Sequence, residues 1–298
     1  MRKIVVIGAG SVGMLMASFL AEHFEVTVIV RRKEQEEAIR KHGIIRRNLD
    51  GTVTETFVNV TSGYAEIAGD SLVIVAVKYT HLKDVLPQLE KLSMDMPILF
   101  VQNGLAHFEE ALKLPQKSIG FGSCQFGAQK ENDHTVIHRG VGVLKLAVGR
   151  GNHEAYQSLL DVKNGLFPVQ WVDDAETMLL EKALYNCFIN PLTAILQVKN
   201  GDLATNGHAR KLLEVLYEEC MEAFPEQRKL ISFQDVIALC EKTASNTSSM
   251  LQDRLMNKKT EVDSIVGAVI KKAEQKGKRL PTLKTLYHLV LAIEGEKT

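Results

Sequence analysis

Residues 3–20 read KIVVIGAGSVGMLMASFL, and the fold class turns on them. The apolar, mostly β-branched run from Ile4 to Ile7 suits a strand covered on both faces. Glycines at 8, 10 and 13 follow in G-x-G-x-x-G spacing, and an apolar helical pattern continues behind them. With a strand before it and a helix after it, each glycine has its own purpose. The first permits a tight turn, the second lets a ligand approach the backbone, and the third lets helix and strand pack closely. The free N–H groups and positive dipole end of the helix favour an anion at that point. Gly8, Ala9, Gly10, Ser11, Val12 and Gly13 are therefore read as the pyrophosphate-binding loop of a dinucleotide site. The plain alternative is an ordinary glycine turn.

Working outward, EVTVIV (25–30), SLVIVAVK (71–78) and PILFVQN (97–103) are further apolar strand candidates. Between them lie the charged helical stretch RRKEQEEAIRKHG and the segment THLKDVLPQLEKL, a helix expected to start or be interrupted near Pro87. Such alternation predicts a parallel sheet with helices on both sides. KSIGFG, HTVIHRG, GVLKLAVG and FPVQWV extend it as antiparallel or mixed strands. After about Val172 the β-branched runs nearly vanish, and apolar residues recur at helical spacing to the end of the chain. The sequence thus predicts an α/β domain over 1–172 and an all-α domain over 173–298.

The second strand ends VIVRR. An acid at this place usually receives the ribose hydroxyls of NAD, whereas a guanidinium suits the 2′-phosphate of NADP. Arg31 therefore favours NADP, unless the two arginines are only solvated charges heading the next helix. Lys78 and Asn103 stand at the carboxyl ends of later strands, where such sheets bind ligands. Asn103 precedes Gly104, so local turn chemistry alone also accounts for it.

In EKALYNCFINPL (181–192), Lys182, Asn186 and Asn190 follow one another at steps of four among Leu184, Phe188, Ile189 and Leu192. That spacing makes a slanted polar stripe on an otherwise apolar helix. Asparagine is a poor helix former, so propensity does not explain it. Either another helix satisfies these groups or a small polar ligand does. Asn190-Pro191 should kink or break the helix. Further on, Thr260 and Asp263 fit a T-x-x-D helix start, with Glu261 in the first turn.

Composition excludes several classes. Formal net charge is zero and apolar content is 45%, so no bulk charge points to nucleic acid or an anionic membrane. No apolar run reaches the length that spans a bilayer. The four cysteines and nine histidines show no metal-ligand spacing. Scattered cysteines without C-x-x-C pairs fit reduced core residues in the cytoplasm.

The segments GAGSVG, VQNG, KALYNCFINPLTAI, NGDL and SSMLQDRLMNKKTEVDSIVGAVI together closely resemble the ketopantoate reductase (2-dehydropantoate 2-reductase) family of pantothenate and coenzyme A synthesis. The resemblance runs from the first strand to the last helix. It implies a Rossmann-type N-terminal domain and a helical C-terminal domain, the 6-phosphogluconate-dehydrogenase-like arrangement, with the active site in the cleft between them. NADPH would bind through the glycine loop, Arg31, Lys78, Asn103, Ala128 and Glu261. Lys182 corresponds to the proton donor and Glu261 to an acid near cofactor and substrate. Asn103, Asn186, Asn190, Asn200 and Ser249 match substrate contacts. Around Ala128, Gln125 and Phe126 depart from the family's threonine- and histidine-containing pattern. The implied substrate is a small 2-oxo acid, ketopantoate or another branched one. A non-catalytic NADPH-sensing protein is the competing class, and an exposed apolar helix face could make a homodimer.

Overall fold

The apolar runs become strands because Val and Ile fill a pleated surface packed on both sides. The computed structural model describes residues 3–64 and 67–295. In chain order the strands are β1 (Lys3–Ile7), β2 (Glu25–Ile29), β3 (Ile44–Arg47), β4 (Val53–Thr56), β5 (Asn59–Thr61), β6 (Ser71–Val75), β7 (Ile98–Phe100), β8 (Ile119–Cys124), β9 (Gly127–Lys130), β10 (Thr135–Gly140), β11 (Leu144–Arg150) and β12 (Val169–Trp171). Eight of them form one sheet in the order β12-β11-β8-β7-β6-β1-β2-β5. All neighbours in it are parallel except β8 and β11, which are antiparallel. From β5 to β8 this is the doubly wound Rossmann order, whose direction reverses between β1 and β6. Ligands bind such sheets outside the carboxyl ends at that switch point.

β3, β4, β9 and β10 make a second sheet, ordered β4-β3-β10-β9, which the sequence reading did not foresee. Helix α1 (Ser11–Leu20) touches β1 and β2 of the large sheet and β3, β9 and β10 of the small one. Its residues Gly13 to Leu20 are all buried as a result. This explains why the helix behind the glycines is apolar all round rather than striped. Burying each of its large side chains contributes about 1.5–3 kcal/mol.

Helices α2 (Lys33–His42), α3 (Leu82–Leu89), α4 (His107–Ala111) and α5 (Gln157–Leu160) belong with the sheets. α3 runs through Pro87 without interruption, correcting the expected break. Pro87 sits on the exposed side of the helix, where water can serve the carbonyl that proline's missing N–H leaves unbonded.

The chain divides into two units. One takes the chain up to Gln102 and again from His107 to Met178; the other takes Asn103–Ala106 and the described residues from Leu179 onward. The second is helical: α6 (Ala175–Leu196), whose first turn belongs to the first unit, α7 (Asp202–Thr205), α8 (Gly207–Ala223), α9 (Phe233–Lys242), α10 (Ser249–Leu255), a π turn over Asp263–Gly267, α11 (Ala268–Gln275) and α12 (Pro281–Glu294). Phe188, Tyr217 and Phe233 pack in series with their rings tilted to one another, at centroid distances of 5.9 and 5.6 Å.

α6 continues for 22 residues through Pro191, so of the expected kink or break, the break does not occur. Pro191 and its neighbours are buried, and packing holds them helical. The Thr193 hydroxyl donates to the Ile189 carbonyl at 2.9 Å, adding a bond in the very turn that proline weakens. Among the described residues no helix is long and apolar enough to cross a membrane.

Candidate functional site

The glycine loop leaves β1 on Gly8, whose φ is +104°. A Cβ there would meet Val77 Cγ1 at 2.8 Å, so only glycine fits the turn against the end of β6. A Cβ on Gly13 would lie 1.9 Å from the Gly8 carbonyl oxygen, which fixes the close packing of α1 on the loop. Gly10 differs: a Cβ on it would meet nothing within 4 Å. Protein packing does not require glycine at 10, but a ligand approaching the backbone does. Gly10 is the N-cap of α1 with no side-chain cap, and no acid stands in the first turn. Free N–H groups and an open concavity are what a pyrophosphate needs, so the residues present fit a dinucleotide.

Around this loop, Gln35 of α2 is buried and its amide donates to the Ala9 carbonyl at 2.9 Å. Arg31 and Lys78 are both exposed at the carboxyl ends of their strands. Ala128 is half-buried in β9 and packs on the core of the first unit. In the departing loop, Gln125 is exposed while Phe126 is buried against Phe167 at 5.3 Å. Phe126 therefore has a packing role.

The second unit holds a separate polar cluster. The Lys182 ammonium donates to Asn103 Oδ1 at 2.9 Å. Asn103 Nδ2 in turn donates to Glu261 Oε2 at 3.2 Å. One amide thus joins an amine and a carboxylate that lie far apart in sequence. All three side chains are half-buried, which strengthens such charge-assisted bonds relative to water.

Asn103 is held by its neighbour. Gly104 has φ +83°, and a Cβ on it would lie 2.1 Å from the Ser264 carbonyl oxygen. Leu105 N–H donates to the same oxygen at 3.1 Å. That carbonyl belongs to the π turn, a geometry that recurs at functional sites. The expected T-x-x-D cap is only half formed. Thr260 Oγ1 accepts from Val262 N–H at 3.2 Å, but Asp263 accepts from the Tyr287 hydroxyl at 2.7 Å instead of returning to Thr260. Burial and this carboxylate push the Tyr287 phenol up to about 12. Glu261 stands just before the turn, its carbonyl accepting from Ile265 N–H.

Asn190 is buried one turn beyond the half-buried Asn186 on α6. Thr193 Oγ1, on the following turn, is hydrogen-bonded to Ser248 Oγ at 2.7 Å, which ties the N-terminus of α10 and the exposed Ser249 to this helix. Asn200 is buried and donates to Thr243 Oγ1 at 3.0 Å, leaving its Oδ1 without a hydrogen-bond partner among the described residues. The structure therefore bonds Lys182, Asn103 and Glu261 into one network and fixes Ser249 beside α6, while Asn200 is anchored on Thr243, the residue that caps the end of α9. Gly104, Thr193 and Thr243 were missed; the Asn-Gly pair was the one available signal.

Two family models cover nearly all of the chain: ketopantoate reductase PanE/ApbA matches residues 4–151, and its C-terminal counterpart matches residues 174–294. A 2-dehydropantoate 2-reductase from Listeria monocytogenes is 37% identical, with 99% of this chain and 97% of that protein covered. The crystal structure of a probable 2-dehydropantoate 2-reductase from Bacillus subtilis superposes with a TM-score of 0.85 at 32% identity, covering 98% of this chain and 99% of that one. A D-mandelate dehydrogenase solved with NADH and anilino(oxo)acetate also reaches a TM-score of 0.85, at 26% identity and 98% coverage of both chains. Sheet order, glycine loop and relatives agree, and the chain belongs to the ketopantoate reductase family.

Proposed function

We propose that this chain reduces 2-dehydropantoate to pantoate with NADPH. Lys182 is the proton donor, within a domain division near residue 172. The observation that carries the reading is the Lys182–Asn103–Glu261 network. Bound NADPH would supply the hydride that reduces the C2 carbonyl. As negative charge develops on the substrate oxygen, the Lys182 ammonium stabilises it and hands over a proton. Asn103 holds the amine in place, and its amide in turn donates to Glu261. Asn186, Asn190, Asn200 and Ser249 offer neutral partners to the substrate carboxylate and hydroxyl, so they add polarity without net charge.

In the first unit, Gly8, Ala9, Gly10, Ser11, Val12 and Gly13 receive the pyrophosphate, Arg31 the 2′-phosphate, and Lys78 and Ala128 line the cofactor's path. Four free, buried cysteines support a reducing, cytoplasmic setting.

Steady-state oxidation of NADPH with ketopantoate tests the reading. Lys182→Ala should lower kcat by about 10²- to 10⁴-fold; unchanged turnover would remove the proposed donor. A second reading keeps the chemistry and changes the acid, because a relative of the same fold is a D-mandelate dehydrogenase. Ranking a panel of branched and aromatic 2-oxo acids by kcat/KM decides between them.

A further inference from the structure

The two arginines after β2 are not equivalent. Arg31 makes no hydrogen bond or ion pair among the described residues, whereas Arg32 is ion-paired to Asp133. Asp133 comes from the turn between β9 and β10, a hundred residues downstream, and also receives the Lys130 ammonium at 2.9 Å. Its placement is built into the fold. The buried Gln35 amide donates at once to the Asp133 carbonyl and to the Ala9 carbonyl of the glycine loop, each at 2.9 Å. Ten residues past Arg32, His42 stacks on His134 at 4.9 Å. The turn is thus fastened to α2 at three points, and one of them is shared with the loop that would hold the pyrophosphate.

In dinucleotide folds an acid beside the end of the second strand accepts from the ribose 2′-hydroxyl, and an arginine there binds a 2′-phosphate. This chain carries both, one from the strand end and one from the distant turn. We infer that Asp133 is a specificity-determining residue: its carboxylate offsets the charge of Arg32 and Lys130 and so restrains the preference for NADPH over NADH. The inference rests on the reading of Arg31 as the 2′-phosphate ligand. A phosphate dianion arriving at Arg31 meets Arg32 already engaged and a carboxylate close by, which repels it. A free 2′-hydroxyl meets an acceptor instead. The Asp133 carboxyl is itself held below its usual range by Arg32 and then Lys130, so it is ionised at neutral pH.

The test is binding of oxidised cofactors, measured by calorimetry without turnover, on the full chain. Asp133→Asn should tighten NADP⁺ by about three- to tenfold while NAD⁺ stays level or weakens, and the gain should shrink at high salt. An NADP⁺/NAD⁺ ratio that is unchanged, or that moves toward NAD⁺, overturns the inference. Should Asp133→Asn unfold, Lys130→Gln probes the same balance in the opposite sense and should lower the ratio; a ratio that holds or rises overturns it too. Arg31→Ala, run alongside, separates the two readings. If that variant binds NADP⁺ as tightly as wild type, the 2′-phosphate assignment fails. If it loses NADP⁺ while Asp133→Asn changes nothing, only the role of Asp133 fails.

Discussion

Replacing Gly104 by alanine should damage catalysis from a position that need not touch the substrate. The new Cβ would lie 2.1 Å from the Ser264 carbonyl oxygen and 2.6 Å from its carbon. Non-bonded carbon and oxygen need roughly 3 Å or more, so the Asn103–Ala106 segment or the π turn must retreat by close to 1 Å. A left-handed φ adds a cost of about 1 kcal/mol for alanine. Retreat would also lengthen the 3.1 Å bond from Leu105 N–H to Ser264, worth about 1 kcal/mol. Together these lower stability by about 2–3 kcal/mol, within what a single substitution usually does. The displaced neighbour is Asn103, whose amide spaces Lys182 from Glu261. A misplacement of 1 Å in a catalytic array can reduce rate about 10²-fold. The assay is kcat at saturating ketopantoate and NADPH, below the unfolding midpoint of the variant, with NADP⁺ affinity measured separately. The expected pattern is a loss of kcat well beyond any accompanying loss of cofactor affinity. A variant that keeps wild-type kcat would show that the Gly104–Ser264 contact does not position the network.

Gly10→Ala should behave in the opposite way: its Cβ has open space, so the unfolding midpoint should hold while NADP⁺ and NAD⁺ both bind about tenfold or more weakly in titration. Tyr287→Phe removes the 2.7 Å bond to Asp263 at the π turn and should cost about 1–2 kcal/mol in chemical denaturation. Burial depresses His138, and burial and then His42 depress His134, below the ordinary imidazole range. Both therefore bind protons more readily when unfolded, and stability should fall as pH drops below about 6.5. Denaturation midpoints compared between pH 7.5 and 5.5 check this, and a flat profile would show that neither ring stays neutral in the fold.

The parts of this molecule that were legible from sequence are those whose physics is local. A glycine loop between a strand and a helix declares itself within a dozen residues, because turn, helix start and packing all act on neighbours. The stripe of Lys182, Asn186 and Asn190 was equally visible, since helical spacing alone puts them on one face. The small sheet was not visible, and β3 shows why. Its inward positions are Ile44 and Arg46, and an arginine in a core-facing place conceals the alternation that marks a strand. The fold tolerates it because the guanidinium lies 3.8 Å over the Phe19 ring and pairs with Glu22 at 3.0 Å. Pro87 and Pro191 misled for a related reason: local propensity argues for a break, while solvent exposure at Pro87 and buried packing at Pro191 let each helix run on.

What gives the polar cluster its meaning was also non-local. Asn103 reads as a turn residue from its own neighbours, and Glu261 as a favourable first-turn acid. They become one site only when Gly104 is driven against Ser264 and the amide is left between amine and carboxylate. Asp133 extends the same lesson to the cofactor end. Reading VIVRR alone counts two cations and no acid, and so overstates the positive charge offered to a 2′-phosphate. The fold returns a carboxylate to Arg32 from a turn that no spacing rule connects with it. On the inference drawn for Asp133, cofactor preference rests on the balance between a strand end and a distant turn, and a motif rule confined to the strand end captures only one side of it.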